Sequence, residues 1–527
     1  MSAIADSTGP TIAAPAADAI DPKRLAAFIG MVFGMFMAIL DIQIVSASLS
    51  EIQAGISASA DEIAWVQTSY LVAEVIMIPL SGFLSRAFST RYMFVISAAG
   101  FTLMSLMCAT ATTINEMIVW RALQGFIGGG MIPTVFASAY AIFPRSRQAM
   151  VSPIIGLVAT LAPTIGPTVG GYLTDIFSWH WLFLINIGPG ILVTLSAWFL
   201  IDFDEPDLSL LENFDWTGLI SMAAFLGALE YVLEEGPIKD WFGDQAILTC
   251  AVIAALGALV FFVRVLTAKQ PIVDLSAFLD RNFWTGSMVS FVLGIGLYGL
   301  TYLYPIFLAR VRGYSALQIG ETLFITGVVM FISAPIVGRL AQKLDPRVMI
   351  ASGFIGFALG TLQASLVTKD WGYDELLIPQ LLRGVSLMLV MIPINNMALG
   401  TLPPERLKNA SGLFNLTRNL GGAVGLALIN TLMNDRMDLH LSRLHESVTW
   451  SRGVANDTLA SMTQAMGRLG SDAPLAALKQ MAGIVRQQAL VMAMADVFFA
   501  LTVLFLALVL LTPLMRKPSH IGGGGGH

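Results

Sequence analysis

Charged residues are scarce in this sequence. Only 12% of its 527 residues are Asp, Glu, Lys or Arg, where a soluble globular chain carries about 25%. With half that share it cannot coat a water-facing surface of its size. Cysteine is nearly absent. Cys108 and Cys250 both fall in apolar runs and read as buried, inert thiols. The five histidines sit outside the apolar runs and show no metal-ligand spacing, so no metal site is expected. No phosphate-cradling Gly-x-x-x-x-Gly-Lys occurs, which argues against ATP drive. No Gly-x-Ser-x-Gly elbow and no zinc constellation occur, so no catalytic residue is assigned and an enzyme is not expected. No basic run suggests nucleic acid.

What fills the chain instead is apolar: 56% of residues are hydrophobic. They gather in segments near the length of about 20 residues that spans a bilayer. Short alternating strands of a membrane barrel are not seen. The reading is an all-α integral membrane protein. Its candidate spans cover 25–48, 62–84, 92–112, 115–138, 151–174, 181–201, 217–236, 245–267, 283–308, 317–340, 348–368, 375–399, 409–432 and 489–513. Lys and Arg cluster in the short connections on one side, with Lys23, Arg24, Arg86, Arg91, Lys269, Arg281, Lys343, Arg347, Arg406 and Lys408. Positive charge stays in the cytoplasm, which places both termini there and requires an even number of spans. The 6–7 connection breaks the pattern, being acidic with Asp202, Asp204, Glu205 and Asp207.

An internal repeat is visible. "PLSGFLSRAFSTR" (79–91) and "PIVGRLAQKLDPR" (335–347) share Pro-x-x-Gly-x-Leu and a closing Arg. The domain reading follows: 1–24 a disordered tail, 25–201 a six-helix half, 202–267 two inserted helices, 268–515 a second six-helix half with an external loop 433–488, and 516–527 a tail whose closing "GGGGGH" reads as an appendage. Repeated halves around a midplane site are the architecture of a secondary transporter. In the repeated hairpins Gly82 and Gly338 allow close helix approach, and Arg91 and Arg347 are candidates for a gating contact between halves.

Several polar groups lie inside apolar spans. A charge at mid-membrane costs about 2.5–3.5 kcal/mol on insertion scales, so each needs a partner or a task. Asp41 interrupts span 1, Glu74 sits midway along span 2, and Glu230 lies deep in span 7. In "WRALQGFIGGG" (120–130) Arg121 is an intramembrane cation, with Gln124, Gly125 and Gly128 on its helix face. Asp41 and Glu74 are its candidate partners. The pairing is either permanent or a movable one that tunes an acid cycling a proton. "ATLAPTIGPTVGGYL" (159–173), with Pro163, Gly166, Pro167, Gly170 and Gly171, predicts a kinked, closely packed helix at the pivot between halves.

These stretches carry a family resemblance. "LDIQIVSASL", "WRALQGFIGGG", "GPTVGGYL", "WHWLFLINIGPG", "PIVDLSAFLDRNF" and "LPPERLKNASGLFNLTRNLGG" together resemble the major facilitator superfamily, and within it the 14-helix drug:proton antiporters of the EmrB/QacA type. The resemblance spans about residues 25–515. It implies the major facilitator fold with two helices inserted between the halves. It also implies export of lipophilic drugs or other toxic compounds in exchange for protons, with no cofactor beyond the proton gradient. The long last external loop resembles that of the EmrB-like subset, which implies the inner membrane of a Gram-negative cell, a periplasmic adaptor and an outer-membrane channel. The family often places an acid near Arg86 and Ala87. None stands there, which leaves the hairpin without an acid of its own for a gating lock.

Proton coupling is expected from Asp41, Glu74, Arg121 and Glu230. The last lies on an inserted helix whose place relative to the core the sequence leaves open. Substrate contacts are expected from Gln67, Tyr70, Phe136, Tyr298, Tyr302, Phe324, Met391, Asn395 and Phe414, because aromatic, thioether and amide groups can wrap and orient a lipophilic cation. Proton-linked export of a metabolite, lipid or siderophore fits the same scaffold.

Overall fold

The computed structural model describes residues 21–143 and 145–515. The expected tails lie outside this range, apart from residues 21–24. The described residues are helical, with no strand among them. The first half comprises α1 (Pro22–Ala47), α2 (Trp65–Ala87), α3 (Ser89–Ala109), α4 (Ile114–Ile142), α5 (Arg145–Ile176) and α6 (Trp181–Leu200). Two inserted helices follow, α7 (Trp216–Glu235) and α8 (Gln245–Thr267). The second half comprises α9 (Arg281–Arg310), α10 (Ala316–Leu340), α11 (Pro346–Ala364), α12 (Tyr373–Leu399) and α13 (Pro404–Ser447). A separate helix, α14 (Gly453–Ala465), precedes the last one, α15 (Ala473–Val509).

Twelve of the described helices are long and apolar enough to cross a membrane, and the bent α5 makes up to thirteen. The fourteenth expected span lies in α13. That helix has 44 residues, ample length, but it carries Asn409, Asn415, Arg418 and Asn419 through its buried part. A helix that turns this many polar groups inward cannot pass a test of mean apolarity. It nonetheless packs along α9, α2, α4 and α15 inside the bundle.

Asp21 caps α1 through the Lys23 backbone N–H, and Pro22 opens its first turn. Helix α1 therefore begins at Pro22, inside the expected tail. Pro163 and Pro167 lack the N–H that an unbroken helix needs, and α5 bends by 44° between Ile154–Pro163 and Ile165–Ile176. It lies against α1 in its own half and against α10 and α12 in the other. The segment 433–488, whose composition favours helix, is mostly helical. Helix α13 runs on to Ser447, α14 turns back, and α15 returns to the bundle. The base of this hairpin is tied by Asp496, which accepts from His440 Nε2 at 2.8 Å and lies 3.7 Å from Arg436 Nε.

The halves touch at the face rich in Arg and Lys. A Cβ added to Gly82 of α2 would stand 2.9 Å from the Asn409 Cα and from the Lys408 carbonyl oxygen of α13. Only a residue without a side chain permits that approach. The acid missing from this hairpin arrives from the connection after α6. Asp204 accepts from the Thr90 N–H at 2.8 Å and the Thr90 hydroxyl at 2.7 Å, and it pairs with Lys408 Nζ at 2.5 Å. Lys408 also donates to the Ser85 carbonyl at 2.9 Å. Arg91 instead holds its own half, donating from Nε to the Ile201 carbonyl. In the second repeat, Gly338 is buried in α10 and the Arg347 backbone N–H bonds Asp345. No cross-half contact of the Arg347 side chain is seen among the described residues.

Candidate functional site

Two groups of buried ionisable residues lie in the bundle. The first is built on α1, α4 and α6. Arg121 Nη1 donates to Asp41 Oδ2 at 2.7 Å, with both side chains wholly buried. The same nitrogen reaches Gln124 Oε1 at 2.8 Å, and Arg121 Nε donates to the Val66 carbonyl at 3.1 Å. Asn186 Nδ2 completes the shell, 2.7 Å from Asp41 Oδ1 and 3.1 Å from Ser105 Oγ. The guanidinium lies 4.3 Å above the Tyr70 ring centroid. Such contacts are what a buried ion pair needs to offset its desolvation. One atom is left over: Arg121 Nη2 has no hydrogen-bond partner among the described residues.

Close helix approach makes this cluster possible. A Cβ on Gly125 would meet the Tyr70 carbonyl oxygen at 2.3 Å, so α4 can lie on α2 only with glycine there. Of the two candidate partners for Arg121, the pair forms with Asp41. Asn186 and Ser105 were not singled out from the sequence. The signal for Asn186 was an amide inside "WLFLINIG", an isolated polar group in an apolar span.

The second group lines a cavity of about 100 Å³ between the halves. Glu74 of α2 and Glu230 and Glu234 of α7 stand on its wall, with Gln43, Phe136, Tyr298, Thr301, Met391, Asn415, Arg418 and Asn419. Glu230 therefore belongs to the core, because α7 packs on α2 of one half and α13 of the other. Of the residues expected to contact substrate, Phe136, Tyr298 and Met391 line this cavity.

The other expected contacts stand elsewhere. Phe324 is a correction: it is 54% exposed on the outside of the bundle and cannot contact a substrate in this cavity. Tyr70 is buried under Arg121, so it serves the first cluster. Asn395 accepts from Arg418 Nη2 at 3.0 Å, and Phe414 lies 5.2 Å beneath that guanidinium, so both brace Arg418 behind the wall. The Tyr302 hydroxyl donates to Asn430 at 2.5 Å, away from the cavity. Gln67 keeps a buried carbonyl oxygen without a partner but does not reach the cavity lining.

Arg418 and Glu234 were missed from the sequence. Arg418 is a cation inside a span, the same signal that singled out Arg121, but it was masked by the polar residues around it. Arg383 carries that signal too. It is buried, donates to Thr301 Oγ1 at 2.6 Å and lies 5.7 Å from the Tyr304 ring.

Comparison with known proteins agrees with this architecture. Residues 31–426 match the model of the Major Facilitator Superfamily. The chain is 41% identical over 492 residues to the colistin resistance protein EmrB of Acinetobacter baumannii, covering 93% of this chain and 96% of that one. It is 30% identical over 501 residues to the multidrug export protein EmrB of Escherichia coli, covering 94% and 96%. It is 30% identical to the fatty acid resistance protein FarB of Neisseria gonorrhoeae over 93% and 96% of the two chains. Among solved structures, the human organic anion transporter MFSD10 superposes with a TM-score of 0.57 at 13% identity, covering 92% of this chain and all of that one, a likeness of fold. A helical bundle of apolar spans, a cavity lined by buried acids and relatives matched over nearly their whole length lead to one conclusion: this chain is a multi-pass membrane transporter, not an enzyme, and it belongs to the major facilitator superfamily in its EmrB-type group.

Proposed function

We infer that this protein exports lipophilic drugs or other toxic compounds from the cell in exchange for protons. The observation that carries the reading is the wholly buried Asp41–Arg121 pair, held beside a cavity whose acids have no cations of their own. Relatives named for colistin resistance, fatty acid resistance and multidrug export support the substrate class. The arginine-rich face is taken as cytoplasmic, in a bacterial inner membrane. The α13–α14–α15 hairpin then projects outward, where it offers a surface to a periplasmic adaptor that leads to an outer-membrane channel.

The cycle uses the chain's own groups. A proton reaching Asp41 from outside cancels the charge that Arg121 Nη1 holds. Arg121 can then turn toward another acceptor, and Glu74 of the cavity is the uncompensated one. The contacts that fix α4 against α1 weaken, and the halves rock about α5. Loss of the proton to the cytoplasm restores the pair. The membrane potential contributes about 2.3 kcal/mol per charge per 100 mV. No cofactor is needed. A cavity of about 100 Å³ is below the roughly 300–1,000 Å³ of a drug site, so the halves must part to admit a substrate. Closure at Gly82 and Asp204–Lys408 is what must open toward the cytoplasm.

Proteoliposomes with an imposed pH gradient test the proposal. Wild-type protein should move a lipophilic drug against its gradient while protons flow back. Asp41→Asn should abolish uphill transport in protein that still reaches the membrane. Uphill transport unchanged in that variant would remove Asp41 from the mechanism.

A further inference from the structure

The inserted helices have a position that the sequence did not indicate. Helix α7 fills the seam between α2 and α13. Its Gly227 lies against Val72 and Ile76, where an added Cβ would stand 3.3–3.4 Å from their side chains. The Tyr231 ring stacks on Trp65 at 5.2 Å, and Glu235 accepts from the Thr68 hydroxyl at 3.3 Å. On the other side the turn after α7 holds the second half. Trp241 Nε1 donates to Thr431 Oγ1 at 3.0 Å, and Asn434 Nδ2 donates to the Pro237 carbonyl at 3.3 Å. Helix α7 is thus a wall of the cavity, attached to both halves.

That wall is acidic where it meets the cavity. Glu230 and Glu234 stand one turn apart on one helix face, and Glu74 faces the same space from α2. Glu74 and Glu230 are 4% and 7% exposed, and neither makes a hydrogen bond or an ion pair among the described residues. Partners were within reach of this helix. The adjacent Glu235 pairs with Lys239 at 3.2 Å. The cation on the cavity wall, Arg418, is engaged elsewhere. Its Nε donates to Ser290 and its Nη2 to Asn395, and it lies between the Phe136 and Phe414 rings at 5.4 and 5.2 Å. Unpartnered buried carboxylates beside aromatic faces make a site for a positive charge on an apolar body.

We propose that the first inserted helix is a substrate-recognition element: Glu230 and Glu234 of α7 hold the cationic centre of a lipophilic cation while Phe136 and Tyr298 contact its apolar body. The proposal rests on the cavity being the export cavity. It assigns the inserted pair a role in choosing substrates by charge.

The test uses two ions of one shape and opposite charge, tetraphenylphosphonium and tetraphenylborate, binding to the purified full-length protein in detergent. Wild-type protein should prefer the phosphonium. In the Glu230→Gln/Glu234→Gln double variant its Kd should rise about tenfold, while the borate's stays within about threefold or tightens. Glu230→Asp, which keeps the charge, should keep the preference. Equal weakening of both ions would show a general loss of the cavity and overturn the proposal. An unchanged phosphonium Kd, or no preference in the wild-type protein, would overturn it as well. Binding needs no pH gradient. Wild-type protein that binds the phosphonium with this preference but moves no drug under a pH gradient would therefore defeat the antiport reading and leave this one standing.

Discussion

Two groups of buried acids sit in the same bundle under opposite conditions. Asp41 has Arg121, Asn186 and Gln124 around it, and both of its oxygens are used. Glu74 and Glu230 have an open cavity and no hydrogen-bond or ion-pair partner among the described residues. The difference follows from which helices meet. Asp41 lies where α1, α4 and α6 of one rigid half converge, and glycine at 125 brings α4 hard against α2. The cavity acids lie where one half and an inserted helix face the other half, across a space that no packed side chain fills. A compensated acid holds a structure together and can switch it. An uncompensated one is available to a ligand or a proton.

Five substitutions would break or sharpen this contrast. Arg121→Gln should have the largest effect. It leaves Asp41 buried without its cation, which should cost about 3–5 kcal/mol, read as a lowered unfolding temperature in detergent together with lost export. Gly125→Val should come next. Its side chain would strike the Tyr70 carbonyl and push α4 off α2, an overpacking cost of about 1–3 kcal/mol, with export falling in step because Arg121 moves with α4. Glu74→Gln removes no contact, so thermal stability should hold to within about 1 kcal/mol even as drug-stimulated proton flux falls. Destabilisation of Glu74→Gln equal to that of Arg121→Gln would erase the distinction between the two groups. Lys408→Met should cost little in stability, about 0.5–1 kcal/mol for a partly exposed pair. Asp204→Asn should cost more than Lys408→Met, since Asp204 also accepts from Thr90. A double-mutant cycle gives the coupling across the halves.

Much of the first cluster was legible in the sequence. Asp41 and Arg121 are charges in apolar runs, and such charges demand partners. Gln124 and Gly125 followed from helical spacing. What could not be read was which acid Arg121 would choose, because Asp41 of α1 and Glu74 of α2 both lie on earlier helices and nothing local fixes the distance of either from α4. The cavity was less legible. Phe136, Tyr298 and Met391 reach it, but Phe324 has the same composition signal and faces outward. An aromatic residue in a membrane span is apolar enough for lipid or for a drug, and only helix rotation separates the two. The hairpin at 82–91 shows the same limit. Its missing acid was visible, yet Asp204, more than a hundred residues away in sequence from Thr90, takes that place.

The sequence by itself determined the membrane class and the presence of charges that must be compensated. Those properties depend on local composition and spacing, since the bilayer tests each segment separately. The tertiary structure decided which charges are compensated. It set Asp41 against Arg121, left Glu74 and Glu230 open to a shared cavity, brought Asp204 to Lys408, and put the inserted helix α7 into the wall of that cavity. Each of these depends on how helices distant in sequence rotate and approach, which packing at a few glycines controls and no single segment encodes.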